Sequence, residues 1–192
     1  MANVDRPCGL RPIGTINGSP WNANVRARPV DASNSTAIFV GDAIILEDDG
    51  NVAPYTGTGG GNLLGVCVGV VVSRAVAATE HPGYLPATTA GTILVVEGPD
   101  TLFEIQDDGE AVPTTAIIGT NGDVQATAGS TTTGMSAHEL DMGTVTTLDA
   151  SAATAQLRVV DYMHREDNDP AAVNAKWIVR INEHTHRETT GL

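Results

Sequence analysis

The chain has 192 residues, with ten Lys and Arg against 23 Asp and Glu, for a net charge of −13. That balance argues against a nucleic-acid partner, because phosphate backbones select clustered cations. No apolar run reaches the ~18 residues that span a bilayer, and the N-terminus lacks the apolar core of a secretory signal, so neither a membrane nor a leader is expected.

Residues 1–36 read as an extended N-terminal arm. Pro7, Pro12, Pro20 and Pro29, with Gly9, Gly14 and Gly18, exclude a helix and a central strand alike. The segment to Val30 holds four arginines (Arg6, Arg11, Arg26 and Arg28) against Asp5. A basic arm on an acidic body results. Trp21 argues for docking, since an unattached tail has no use for a tryptophan.

Residues 37–184 read as a β-rich body. Ala37–Val40 and Ala43–Leu46 flank Gly41-Asp42, a strand with a bend. Glu47-Asp48-Asp49-Gly50 is a turn, and residues 56–61 form a glycine-rich loop. Leu63–Ser73 is a strand, with Val66, Val68, Val70 and Val72 on one face and Gly65, Cys67 and Gly69 on the other. Those small residues predict close approach by another backbone. Thr92–Glu97 and Thr101–Gln106 predict a hairpin across Gly98-Pro99-Asp100. Asp107-Asp108-Gly109 and Asn121-Gly122 are further turns, and Thr127–Thr133 is a loop. The Asp-Asp-Gly turns echo each other: Leu46–Pro54 resembles Ile105–Pro113.

Ala155–Tyr162 and Asn174–Asn182 predict an antiparallel hairpin with a long polar loop. In the second run Ala175, Trp177, Val179 and Ile181 share one face, with the period of two of a half-buried strand. Among seven aromatic residues Trp177 is the expected core anchor, with Val179 and Ile181 beside it. Residues 185–192 read as a polar C-terminal tail. Abundant glycine, 23 threonines, β-branched runs and no helical period predict an all-β domain, a sandwich or a barrel.

Catalytic patterns are missing. Gly57–Asn62 lacks the third glycine of a dinucleotide fingerprint, and the single lysine, Lys176, is not in a phosphate loop. Gly134-Met135-Ser136-Ala137-His138 has a serine but not the Gly-x-Ser-x-Gly elbow. His138, alternating with Glu139 and Asp141 on a strand, would face away from both. His184-x-His186 could place two imidazoles on one ion, but one pair in a polar tail is an incomplete site. Cys67 reads as a small buried hydrophobe and Cys8 as a free thiol of the arm. No enzyme, cofactor or metal is expected.

Several blocks resemble the cement, or head-decoration, proteins of tailed bacteriophages. They are Met1–Pro7 with Gly9–Pro12, Phe39-Val40-Gly41-Asp42-Ala43, Glu139-Leu140-Asp141, and Asn174–His184. The resemblance implies a structural virion protein on the outer face of a capsid, assembled in the host cytoplasm. It implies binding to the major capsid protein, stapling of neighbouring capsomers, and a homo-oligomer, with a trimer favoured over a dimer. On that expectation Arg6, Arg11, Arg26 and Arg28 pair with shell carboxylates, while Leu10, Ile13 and Trp21 fill apolar grooves. A β-rich tail or fibre module with a binding role is the alternative.

Overall fold

Two five-stranded antiparallel sheets stack on a shared core in the computed structural model, which describes residues 3–57, 61–71, 83–143 and 154–187. In chain order the strands are β1 (Arg11–Thr15), β2 (Val25–Val30), β3 (Ala43–Leu46), β4 (Val52–Pro54), β5 (Gly65–Val71) and β6 (Gly91–Val96). Then follow β7 (Thr101–Gln106), β8 (Asn121–Gly122), β9 (Val124–Gln125), β10 (Glu139–Leu140), β11 (Leu157–Tyr162) and β12 (Lys176–Ile181). The first sheet runs β1-β7-β12-β11-β8 and the second β2-β6-β5-β3-β4; β9 and β10 form a small separate pair. No α-helix occurs among the described residues. The all-β expectation holds, in its sandwich form.

The core between the sheets joins Phe103, Ile105, Leu157, Val159, Trp177, Val179 and Ile181 of the first to Ala43, Val66 and Val96 of the second. Each contribution follows from strand alternation: along β12 burial alternates residue by residue, and Trp177, Val179 and Ile181 are all inward. Burying Trp177 contributes roughly 2–3 kcal/mol. A second cluster, including Ile44, Cys67, Ile93 and Val95, lies on the opposite face of the second sheet under Ile38 and Leu85. That sheet is therefore buried on both faces.

The hairpin β11–β12 forms in the expected pairing, with Val159 opposite Val179 and a bulge between Val159 and Asp161. In β5 the glycine expectation holds at Gly65, where a Cβ would run into the Val96 carbonyl. The expected single valine face does not hold. A bulge between Cys67 and Gly69 breaks the alternation, so Val66 and Val68 face one core while Val70 joins Cys67 toward the other. Val72 and Ser73 lie outside the described residues, as do Thr58–Gly60 of the glycine-rich loop and residues 188–192 of the tail.

Three expectations are corrected. First, β6 and β7 are not a hairpin. Strand β6 pairs with β2 and β5, whereas β7 pairs with β1 and β12, so the chain crosses from one sheet to the other at Gly98-Pro99-Asp100. The same turn residues serve a corner as well as a hairpin, and the corner lets both strands face the shared core. Second, Asn121-Gly122 is strand, paired with Leu157 and Arg158. The reversal falls just before it, where Gly119 has a φ of 89° and the Thr120 N–H donates to the Ile117 carbonyl at 3.0 Å.

Third, the N-terminal segment is not an arm set apart from the body but supplies a strand to each sheet. Strand β1 pairs with β7, β2 pairs with β6, and the bend between them follows the β6–β7 corner. At that corner the Ile16 N–H donates to the Asp100 carbonyl, and the Glu97 N–H to the Asn24 carbonyl, both at 3.0 Å. Gly98 leaves room for the Asn24 side chain there: a Cβ would lie 2.5 Å from Asn24 Nδ2 and oblige it to shift. The segment clasps its own chain. Pro12 and Pro29 are tolerated because β1 and β2 are sheet edges, where proline is accommodated.

Candidate docking surface

Proline and glycine leave the first thirty residues few ways to bury apolar area, and the fold uses them by pairing each half with a different sheet. The pairing sorts the seven predicted contact residues into two groups. Leu10 is buried in the core, with its N–H donating to the Gly41 carbonyl at 2.9 Å, so it cannot fill a groove on a partner. Trp21 is half-buried and packs against the same core. Arg28 is committed to Glu97, its Nη2 donating to Oε2 at 2.7 Å. The buried Glu97 side chain also has Arg26 Nε at 3.9 Å and His186 Nε2 at 3.5 Å. Burial alone would push the Glu97 carboxyl up, but Arg28 and His186 hold it below its ordinary value.

Arg6, Arg11, Ile13 and Arg26 remain exposed. Arg11 and Ile13 belong to β1, the edge of the first sheet, whose register shifts between Pro12 and Gly14. Ile16, just beyond β1, is 53% exposed and joins them; sequence reading missed it because no periodicity marks a residue in a turn. A groove of about 240 Å³ adjoins this edge, lined by Arg11, Pro12, Trp21, Val40, Val68 and Met135 among others. The result is a blunted sheet edge with two exposed isoleucines, Arg11 and a shallow apolar groove.

Asp42, Ser136 and His138 do meet, all buried, in a combination the sequence did not suggest. Their roles do not match a nucleophilic triad. His138 Nδ1 accepts the Ala43 N–H at 3.3 Å, which puts the ring proton on Nε2, 3.5 Å from Asp42 Oδ1. The Ser136 hydroxyl accepts the His138 N–H at 3.1 Å and His138 Nδ1 is taken by the Ala43 N–H, so no imidazole nitrogen is free to take the hydroxyl proton. Burial pushes Asp42 up to about 6 and His138 down to about 4, so the imidazole is neutral at pH 7. The three tie the bend at Gly41 to the 134–140 segment. Gly9, against Gly41 and Ser136, completes that contact.

His184 and His186 do not converge on an ion. His184 is fully buried, not in a solvated tail, because the segment returns beside Leu63: the Thr185 N–H donates to the Leu63 carbonyl at 3.0 Å. Its Nδ1 accepts the His186 N–H at 3.1 Å, while the His186 ring turns to Glu97. Burial first, then His186 and Arg187, lower the His184 pKa to about 4. Carboxylate oxygens of Asp108, Glu110 and Asp141 gather within 4.8 Å of one another. Three acids on partly exposed loops form an acidic cluster and no more than that. Cys67 is buried as expected, its thiol pushed up to about 12 by desolvation. No helix among the described residues is long and apolar enough to cross a membrane. No protein-family model, curated protein or solved structure matches the chain.

Proposed function

We propose that the protein is a structural, non-catalytic virion protein that binds the outer surface of a tailed-bacteriophage capsid and stabilises contacts between capsomers. Its partners are the major capsid protein and its own copies, with a trimer favoured. The reading starts from the resemblance of the N-terminal and Asn174–His184 blocks to cement proteins. The observation that carries it is the exposed flank of β1, where Arg11, Ile13 and Ile16 stand on a sheet edge beside an apolar groove. Each surface ion pair is worth about 0–1 kcal/mol, so the isoleucines should supply most of the affinity. Many copies, each bound modestly, stabilise a shell by mass action and avidity.

The test cannot be removal of residues 1–29, since that would strip both edge strands and Leu10 from the fold. Point substitution is the cleaner route. The double variant Ile13→Asp/Ile16→Asp should melt like the parent yet fail to decorate particles, which otherwise carry hundreds of copies. Normal decoration by the variant would refute this surface, and a handful of parent copies per particle would instead indicate a tail or fibre module.

A further inference from the structure

The outer face of the first sheet carries a charge arrangement that the fold itself does not need. Arg158 of β11 and Arg180 of β12 stand directly opposite each other in the antiparallel register. Their neighbours Leu157, Val159, Val179 and Ile181 all point into the core, so both arginines project outward. Like charges directly opposite on a sheet are destabilising. Neither guanidinium takes part in an ion pair among the described residues, and the Arg158 Nε is buried without a hydrogen-bond partner.

A shortage of acids does not explain this, because the chain has 23 of them. Two arginines of the flanking segments are paired, Arg165 with Glu104 and Asp167 and Arg187 with Asp100, while Arg11 of β1 is exposed. Asp100 is the acid whose field reaches Arg180, and Arg187 holds it. Leu102 of β7 lies on the far side of Arg180 and Asn121 of β8 on the far side of Arg158, and Val160 is 37% exposed. Burial and the cations of Arg187 and Arg158 lower the Arg180 pKa, a sign that the site holds uncompensated positive charge.

We propose that Arg158 and Arg180 form an oxyanion-binding site, taking a carboxylate or phosphate group between their two guanidinium forks. The geometry suits the ligand. Guanidinium presents paired N–H donors matched to two oxygens of one anion, and an anion between two cations converts their repulsion into attraction. Such a ligand also supplies the acceptor that the Arg158 Nε lacks. The oxyanion could come from free phosphate or from a carboxylate of a docking protein. The site stands apart from the β1 edge and does not depend on the virion reading.

The test uses the full chain and inorganic phosphate, titrated against sodium chloride at matched ionic strength, with the backbone amide resonances of Val159 and Val179, present in parent and variants alike, as readout. A saturable shift with a Kd on the order of 1 mM is expected. It should be lost in Arg158→Gln/Arg180→Gln. Arg180→Gln alone should melt no lower than the parent at low salt, because it relieves repulsion. A shift equal to that in chloride, or one that persists in the double variant, overturns the site. So does a lower melting temperature for Arg180→Gln, which would make the pair structural. Hexaglutamate measured beside phosphate separates the sources: the tighter binder identifies whether the site takes a protein carboxylate or the free ion.

Discussion

Two turns of this molecule share their letters and differ in what reaches them. Asp48-Asp49-Gly50 closes the β3–β4 hairpin in solvent; Asp107-Asp108-Gly109 follows β7 in the interior. Locally they use the same chemistry. Asp49 Oδ1 accepts the Asn51 N–H at 2.9 Å, and Asp108 Oδ1 accepts the Glu110 N–H at 3.0 Å. Both glycines adopt positive φ, 85° and 73°. One position apart, the two turns diverge. Asp48 is exposed, whereas Asp107 is wholly buried and accepts the N–H groups of Asn174, Ala175 and Gly109 and the Nε1–H of Trp177. Turn chemistry sets the local bend, and long-range donors decide whether the carboxylate is ornamental or structural.

The comparison is broken most directly by removing Asp107. Asp107→Ala leaves the Asn174, Ala175 and Trp177 donors buried and unmatched, and should cost about 3–5 kcal/mol in denaturant unfolding. A loss below 1 kcal/mol would show that the two turns are equivalent after all. Trp177→Phe keeps most of the buried area but withdraws one donor and some volume, so a loss of about 2 kcal/mol is expected in the same assay. Full truncation, Trp177→Ala, should approach the Asp107→Ala effect.

Charge around the interior turn offers a subtler test. Burial first, then Asp5, Asp108 and Asp107, raise the Glu139 pKa to about 7. A carboxyl raised in the folded state binds its proton more tightly than in the unfolded chain. Its contribution is thus favourable below the ordinary value of 4.5 and is lost as pH climbs to about 7. Glu139→Gln should therefore stabilise by about 1 kcal/mol at pH 8, screening by solvent included, with no gain at pH 4. A gain that is the same at both pH values would rule out titration as its source. Smallest of all, Asp48→Ala should change stability by no more than about 0.5 kcal/mol. A larger loss would mean that the surface turn has a tertiary partner.

The sequence made some of this legible and hid the rest for identifiable reasons. The β11–β12 hairpin could be read because Ala175, Trp177, Val179 and Ile181 alternate cleanly and a polar loop separates the runs. Trp177 as anchor followed from size and rarity. Its partner Asp107 was hidden, although a buried indole N–H requires an acceptor and so signals that one exists. The β6–β7 corner was misread because Gly98-Pro99-Asp100 reports that the chain bends, not which sheet receives the next strand. The N-terminal segment was misread for a similar reason: composition showed that it cannot fold alone, and nothing local names its host. Of the predicted contact residues, Arg6, Arg11, Ile13 and Arg26 are exposed. Leu10 was lost to the core because an isolated leucine between Gly9 and Arg11 carries no periodicity. Arg158 and Arg180 went unnoticed because their opposition exists only once the hairpin register is fixed.

The way β1 and β2 follow the β6–β7 corner also orders events in time. Residues 11–30 leave the ribosome before their partners at residues 91–106 exist, and β7 in turn awaits β12 on its other side. Until residues 176–181 have been made, the first sheet lacks its middle strand. Loops of this span close slowly, since chain entropy is spent before any contact repays it. The polypeptide must therefore wait with residues 11–30 unpaired. A stretch rich in proline and glycine, with arginines spaced along it, is a poor template for the strand-to-strand aggregation that such a wait invites. The composition that looked like that of a loose arm is what keeps residues 11–30 of a late-closing sandwich out of trouble during synthesis.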